Sequence, residues 1–113
     1  MALFAIGLGF FIWAMLVNRF FSSAVRIQSD RGQHVIGSGP YAIVRHPGYA
    51  GAALAFLASA LALNSLLVII PTALFLVVGV IRTADEDRML QKELAGYADY
   101  SAKVRFRLLP GVW

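Results

Sequence analysis

The stretch GYAGAALAFLASALALNSLLVIIPTALFLVVGVI, residues 48–81, decides the fold because it contains no charged residue. A single helix of this length would be far longer than the roughly 30 Å thickness of a bilayer's hydrocarbon layer. We therefore predict two antiparallel helices, 49–63 and 66–82, joined near Leu63-Asn64-Ser65. The first of them carries small residues at spacings of three and four, which let a neighbouring helix approach closely in lipid: Gly51, Ala52, Ala55, Ala58, Ser59 and Ala62.

The composition of the whole chain points to lipid as well. Of 113 residues, 59% are hydrophobic and 14% are charged, which is too little polar material to cover a soluble domain. A further apolar segment, 2–21, is interrupted only near its end and predicts a first span. The alternative is a signal peptide cut at Ser22-Ser23-Ala24, but no Lys or Arg precedes its apolar run. We expect an all-α integral membrane protein, one domain over residues 1–113, with three transmembrane helices and a C-terminal amphipathic helical tail.

The basic residues predict an orientation. All ten Lys and Arg lie in two segments, Arg19–Arg45 and Arg82–Arg107. With three spans, both segments fall on one side of the bilayer, which the positive-inside rule makes cytoplasmic. The loop 22–48 and the tail 83–113 are therefore predicted to be cytoplasmic. Nucleic acid is not an expected partner, because the chain has no long basic run interleaved with aromatic residues.

Metal and disulfide chemistry are not predicted. The chain has no cysteine, which excludes disulfides, thiolate nucleophiles and Cys-ligated metals. Its two histidines, His34 and His46, have no partner at the spacing of a helical metal site.

The motif GPYAIVRHPGY, residues 39–49, places polar side chains where the loop meets the hairpin. Pro47 favours an extended His46, so Arg45 and His46 project from a stiff turn. Their plainest role would be to bind lipid phosphate.

The motif RTADEDRML, residues 82–90, follows the last predicted span. Arg82 and Glu86 are four residues apart and share a helix face, and a solvated ion pair is the plainest interpretation. The hairpin, however, returns this motif to the membrane face of Arg45 and His46. Polar groups gathered at the end of a membrane bundle indicate a ligand site.

The tail carries an amphipathic pattern that begins as a continuation of the third span. Apolar and aromatic residues recur there at spacings of four and three, which predicts a helix lying along the headgroups, with Gly96 starting a second piece: Leu90, Leu94, Tyr97, Tyr100 and Val104.

From Asn18 onward, the order of these motifs, completed by GYADY and VRFRLLPG, resembles the isoprenylcysteine carboxyl methyltransferase family and its bacterial relatives. Members of that family are integral membrane enzymes that use S-adenosylmethionine, held between the loop before the hairpin and the C-terminal segment. The resemblance also suggests that one or two further spans often precede the first one here. Two expectations follow: a homo-oligomer completes the wall of the pocket, or the sequence is N-terminally short relative to the family.

The resemblance implies a set of cofactor-binding residues: Gln28, Gln33, His34, Val35, Ile36, Tyr41, His46, Pro47, Gly48, Tyr49 and Glu86. It places Arg82 on the substrate side, and Arg82 or Arg45 would orient an anionic acceptor. The family's acidic pair often reads Glu-Glu, whereas Asp87 is one methylene shorter, so the cofactor role is assigned to Glu86.

Chemistry leaves the methyl acceptor open. A sulfonium donor carries an activated methyl group, so its transfer chiefly needs positioning and exclusion of water. A lipophilic or small carboxylate or thiolate acceptor needs no base, whereas an amine acceptor needs one, and His46 is then the candidate. Two alternatives remain: an NADPH oxidoreductase resembling sterol reductases, which carry a similar R-H-P-x-Y hairpin, and a non-catalytic small membrane subunit.

Overall fold

The structure is a computed structural model that describes residues 2–21, 28 and 32–113. The helices within these ranges are α1 (Ala2–Val17), α2 (Pro47–Leu63), α3 (Leu66–Glu93) and α4 (Tyr97–Lys103), with a short 3-10 turn at Gly39–Ala42. The same ranges contain no strand, so the all-α class is confirmed for them. Most of the predicted loop 22–48 is described from residue 32 onward. Residues 22–24, the alternative cleavage site, lie outside the described residues.

The predicted hairpin forms where the sequence placed it. Asn64 ends α2 in the left-handed conformation, at φ 45° and ψ 48°, which asparagine tolerates better than most residues. Ser65 then precedes α3 in extended backbone. The two arms meet through Phe56 and Phe75, whose ring centroids lie 4.3 Å apart.

Helix α1 packs antiparallel on α2 through glycines. A Cβ added at Gly7 would lie 2.6 Å from the backbone nitrogen of Ala55, and one added at Gly51 would lie 2.6 Å from the carbonyl oxygen of Gly7. The two backbones are therefore in direct contact, as small residues permit. The predicted close approach is confirmed, and α1 is the helix that makes it.

The prediction of three membrane-spanning helices is not supported. Within the described part of the chain, α3 alone is long and apolar enough to cross a bilayer. Helix α1 has 16 residues and α2 has 17, or about 24–26 Å at 1.5 Å per residue. The first span stops short of residue 21 because the chain turns at Asn18, whose side chain accepts a hydrogen bond from the Phe20 backbone N–H.

Helix α3 exposes its apolar surface instead of burying it in the protein. Only 11% of its most apolar window is buried, which favours lipid contact over the role of a soluble core helix. The helix continues past its charge-free part, 66–81, into a polar end, 82–93. The predicted break follows: Gly96, at φ 83°, precedes α4. Helix α4 then turns back towards the start of α2.

Candidate functional site

A cavity of about 350 Å³ lies where α1 ends, α2 begins and α3 becomes polar. Every site residue predicted from the sequence lines it except Pro47: Gln28, Gln33, His34, Val35, Ile36, Tyr41, Arg45, His46, Gly48, Tyr49, Arg82 and Glu86. The hairpin thus brings the two polar motifs together at one end of the helices. The roles assigned to these residues stay predictions.

Pro47 does not line the cavity because it serves the backbone. It is buried and begins α2, where its missing N–H costs no helical hydrogen bond. Just before it, the backbone N–H groups of Arg45 and His46 donate to the carbonyl oxygens of Phe106 and Arg107, both at 2.9 Å. The C-terminal segment is therefore tied to the turn that presents the RHP motif.

The side chain of Asp87 joins four segments of the chain. Its Oδ1 forms an ion pair with Arg45 Nη1 at 3.2 Å and accepts hydrogen bonds from His46 Nε2 at 3.0 Å and from the Tyr97 hydroxyl at 2.8 Å. Its Oδ2 accepts from Arg107 Nε at 3.2 Å. We call these five residues the Asp87 cluster; it fastens the loop, α4 and the C-terminal segment to α3.

The carboxyl group of Asp87 is held in its ionised form. It lies in the polar end of α3 and is 3% exposed, and burial alone would raise its pKa. Hydrogen bonds from His46 and Tyr97, together with the charges of His46 and Arg45, outweigh burial and lower the pKa to about 2.

Asp87 is the residue that the sequence argument undervalued. The comparison with a Glu-Glu pair made it look like a weakened ligand, whereas it anchors the tertiary structure around the site. A usable signal was present: Thr83, Asp87 and Leu90 follow at spacings of four and three, and all three are buried. A carboxylate on the buried face of a helix needs cationic partners.

Glu86, the acid preferred from the sequence, points elsewhere. It is one residue round the helix from Asp87 and faces the cavity, half-buried. Tyr49 of α2 interacts there with both Glu86 and Arg82. Arg45 and His46, by contrast, are 7% and 5% exposed, so they are turned to Asp87 and the cavity and do not lie open to lipid phosphate.

The described part of the loop forms one wall. Gln28 is buried, and its Nε2 donates to the Phe20 carbonyl oxygen at 2.7 Å. Its backbone N–H donates to Gln33 Oε1 at 2.6 Å, while the His34 ring packs edge-on against Phe20 at 5.1 Å. Gln28 and Gln33 therefore form this wall through hydrogen bonds to each other and to the Phe20 backbone.

A tyrosine wall from α4 was missed as part of the site. Tyr97 and Tyr100 line the cavity with Leu90 and Leu94, and the Tyr100 hydroxyl donates to the Tyr41 carbonyl oxygen at 2.5 Å. The amphipathic spacing identified these residues but assigned their face to lipid headgroups. The face covers the cavity because α4 folds back over it.

The other end of the cavity is apolar. Phe11 of α1, Ala52 of α2 and Phe75 of α3 line it between the helices. One continuous space thus runs from charged and hydroxyl groups to hydrocarbon. Such a space suits a polar molecule and an apolar chain side by side.

Comparison with known proteins gives one match. A model of the phospholipid methyltransferase family matches residues 1–96, which includes α1, α2, α3 and the loop with the RHP motif. No curated protein matches the chain, and no solved structure does. The match supports the membrane methyltransferase class and does not single out the isoprenylcysteine carboxyl methyltransferases.

Proposed function

Since the chain belongs to the phospholipid methyltransferase family, we propose that it transfers a methyl group from S-adenosylmethionine to a lipophilic acceptor at the cytoplasmic face of a membrane. The observation that carries this proposal is the cavity, polar at the Glu86 end and apolar at the Phe75 end. Its volume of about 350 Å³ lies in the range of small-molecule sites, roughly 300–1,000 Å³.

The residues of the polar end fit this cofactor. The Glu86 carboxylate can accept hydrogen bonds from amino or ribose donors and offsets a cationic charge. The aromatic faces of Tyr41 and Tyr49 suit a flat base or a cationic centre. Arg45 Nε is buried and has no hydrogen-bond partner among the described residues, so it offers a donor to a ligand carboxylate.

When bound, S-adenosylmethionine supplies a methyl group on a positively charged sulfur, ready for displacement. The protein's own residues then have to orient the acceptor and exclude water. Phe11 and Phe75 provide an apolar wall for an acceptor's hydrocarbon, and Arg82 lies where it would bind an acidic group. A lipid acceptor agrees with the name of the family. The lining residues do not distinguish among carboxylate, thiol and amine groups as the methylated group.

The charge distribution supports a cytoplasmic site. The Lys and Arg residues lie outside the charge-free helices, in the loop, the polar end of α3 and the tail. The loop and the polar end of α3 line the same cavity, so if α3 crosses the bilayer with α2 beside it, the positive-inside rule places both of them and the following tail in the cytoplasm. The soluble cofactor is then available on the side where the cavity lies.

Isothermal titration calorimetry of the purified protein in detergent with S-adenosylmethionine tests the proposal. We expect saturable binding that Glu86→Gln weakens roughly 10- to 100-fold, the worth of a hydrogen bond to a charged group. Glu93→Gln, on the exposed end of the same helix, should bind like the wild type. Absence of binding in a folded preparation, or displacement of the cofactor by NADPH at low concentration, would favour the oxidoreductase or subunit alternatives.

A further inference from the structure

The segment that follows α4 contains a tight turn, residues 109–112. Pro110 and Gly111 occupy its two central positions, with Gly111 at φ 81°, which is the pattern of a type II turn. The Leu109 carbonyl oxygen accepts hydrogen bonds from the backbone N–H groups of Val112 and Trp113, both at 3.1 Å. The Trp113 backbone oxygen in turn accepts from the Leu109 N–H at 3.1 Å. The backbone of the 109–112 turn is therefore hydrogen-bonded largely to itself.

The side chains of the 109–112 turn are apolar and exposed. Leu109 is 57% exposed and Val112 is 74% exposed, and Pro110 and Gly111 between them are exposed as well. Single apolar residues on a protein surface are ordinary, but here a whole turn is apolar and its backbone needs few hydrogen bonds from water, so it can enter a lipid interface. Trp113, beside it, is a residue type enriched at membrane interfaces.

The residues that lead into the turn are basic. Lys103 and Arg105 are exposed, and neither forms an ion pair with another residue that the structure describes. No acidic residue lies between Lys103 and the turn. Arg107 is held between Asp87 and the Trp113 ring, whose centroid lies 4.9 Å from its guanidinium carbon. Two cations therefore remain beside an apolar turn, a combination that matches the surface of an anionic bilayer.

Two contacts determine the level of the turn relative to the helices. Arg107 Nε donates to Asp87 Oδ2 at 3.2 Å, and the Arg107 carbonyl oxygen accepts from the His46 N–H at 2.9 Å. Asp87 lies five residues beyond Arg82, where the charge-free part of α3 ends, or about 8 Å along the helix. The headgroup layer is roughly 5–8 Å thick on each side of the hydrocarbon. If α3 crosses the bilayer, Arg107 and the turn after it are therefore held at the level of the headgroups.

We propose that the 109–112 turn, together with Lys103 and Arg105, binds the tail to an anionic lipid surface at the membrane face where the cavity lies. Leu109 and Val112 enter the interface, and the two cations bind lipid phosphates. The amphipathic pattern assigned headgroup contact to the face of α4, which covers the cavity, so a different surface of the tail makes that contact. This surface lies outside residues 1–96, which match the family, and its role does not depend on methyl transfer.

Spin labels at single cysteines test the proposal, because the chain has no cysteine of its own. Val112→Cys reports on the turn, and Leu109→Cys gives a second reading. Ala95→Cys, exposed just after α3, is the control in water, and Leu74→Cys, 64% exposed in the charge-free part of α3, is the control in lipid. Single copies are placed in nanodiscs of phosphatidylcholine with or without phosphatidylglycerol. Electron paramagnetic resonance then measures the collisions of each label with oxygen and with a neutral nickel chelate.

In discs that contain phosphatidylglycerol, we expect the label at position 112 to collide more with oxygen than with nickel, as at position 74, and the label at position 95 to show the reverse. Each Lys or Arg near an anionic surface contributes about fivefold to binding. Lys103→Gln/Arg105→Gln should therefore raise the nickel collisions at position 112 to their level in phosphatidylcholine alone. Arg88→Gln/Lys92→Gln, which removes two exposed charges from the polar end of α3, should leave them unchanged.

Different failures have different meanings. Nickel collisions at position 112 as frequent as at position 95, in both kinds of disc, would overturn the proposal. Shielding that is equal in both lipids, or that survives Lys103→Gln/Arg105→Gln, would overturn the assignment of an anionic lipid. Shielding that appears only when two copies share a disc would assign the turn to a second copy of the chain. A label at position 74 in water would mean that α3 does not cross the bilayer, and the proposal fails with it. No readout uses S-adenosylmethionine, so failure here leaves the proposed function standing.

Discussion

Around Gly7 and Gly51, two helices are in direct backbone contact, whereas around Asp87 the chain is held by charges and hydrogen bonds that join four segments. In the first region, glycine on each helix allows the two backbones to approach closely. The second uses partners far apart in sequence, such as Arg45 and Arg107. An added methyl group at a glycine should disturb the first region only locally. Loss of the Asp87 carboxylate should remove the contacts that hold the loop, α4 and the C-terminal segment against α3.

The difference teaches where stability and function meet in this molecule. The glycine contact determines how α1 packs on α2, and neither Gly7 nor Gly51 lines the cavity. The Asp87 cluster lies beside the cavity, and three of its members, Arg45, His46 and Tyr97, line it. Perturbing the cluster should therefore change both folding and activity, while perturbing the glycine contact should act mainly on folding.

The largest effect is expected for Asp87→Asn. The substitution leaves the buried Arg45 guanidinium without its countercharge, which should lower the free energy of unfolding by about 3–5 kcal/mol. Asp85→Asn is the matched control, because Asp85 pairs with Arg88 on the exposed face of the same helix and should cost less than about 1 kcal/mol. Denaturant unfolding in detergent measures both. Equal effects of the two variants would refute the special role of Asp87.

The same cluster predicts an acid-sensitive fold. The folded-state pKa of Asp87, about 2, lies below its ordinary value of 3.8. Its contribution to stability is therefore complete above about pH 4 and is lost as the pH falls through 2, which amounts to about 2 kcal/mol. We expect the difference in the free energy of unfolding between the wild type and Asp87→Asn to decrease by that amount when the pH is lowered from 7 to 2. A difference independent of pH would contradict the assigned ionisation.

A smaller effect is expected for Gly51→Ala. Its added methyl would meet the Gly7 carbonyl oxygen at 2.6 Å, so the helices must separate, at a cost of about 1–3 kcal/mol. Gly79→Ala is the control, since a Cβ there meets no atom within 4 Å, and alanine should raise stability slightly by its helix propensity. Thermal unfolding of both variants compares them. A Gly51→Ala protein as stable as Gly79→Ala would disprove the backbone contact.

The helices of this fold are largely predictable from the sequence because local patterns encode them. The charge-free run, the Asn64-Ser65 turn and the small residues of α2 each predict a feature that the structure contains. Three spans are not supported because α2 ends at Leu63 after 17 residues, and because the prediction for α1 counted apolar residues past Asn18, where a side-chain hydrogen bond turns the chain. A hydropathy pattern does not register such a capping contact.

The site was partly predictable for a related reason. The residues on either side of the hairpin, such as His46 and Glu86, meet because antiparallel helices return to one end. Tyr97 and Arg107 depend on how the tail folds back after Gly96, which no periodicity specifies. The spacing of Thr83, Asp87 and Leu90 indicates a buried helix face but does not identify the partners of Asp87. Their roles required the tertiary contacts.

A crystal structure of the protein with S-adenosylhomocysteine tests the central claim most directly. We predict that the ligand lies between Glu86 and His46, in contact with Tyr49, while the apolar end near Phe11 and Phe75 stays free for an acceptor. Density for the ligand on another surface, or Glu86 and His46 at opposite ends of the helices with no space between them, would contradict the account.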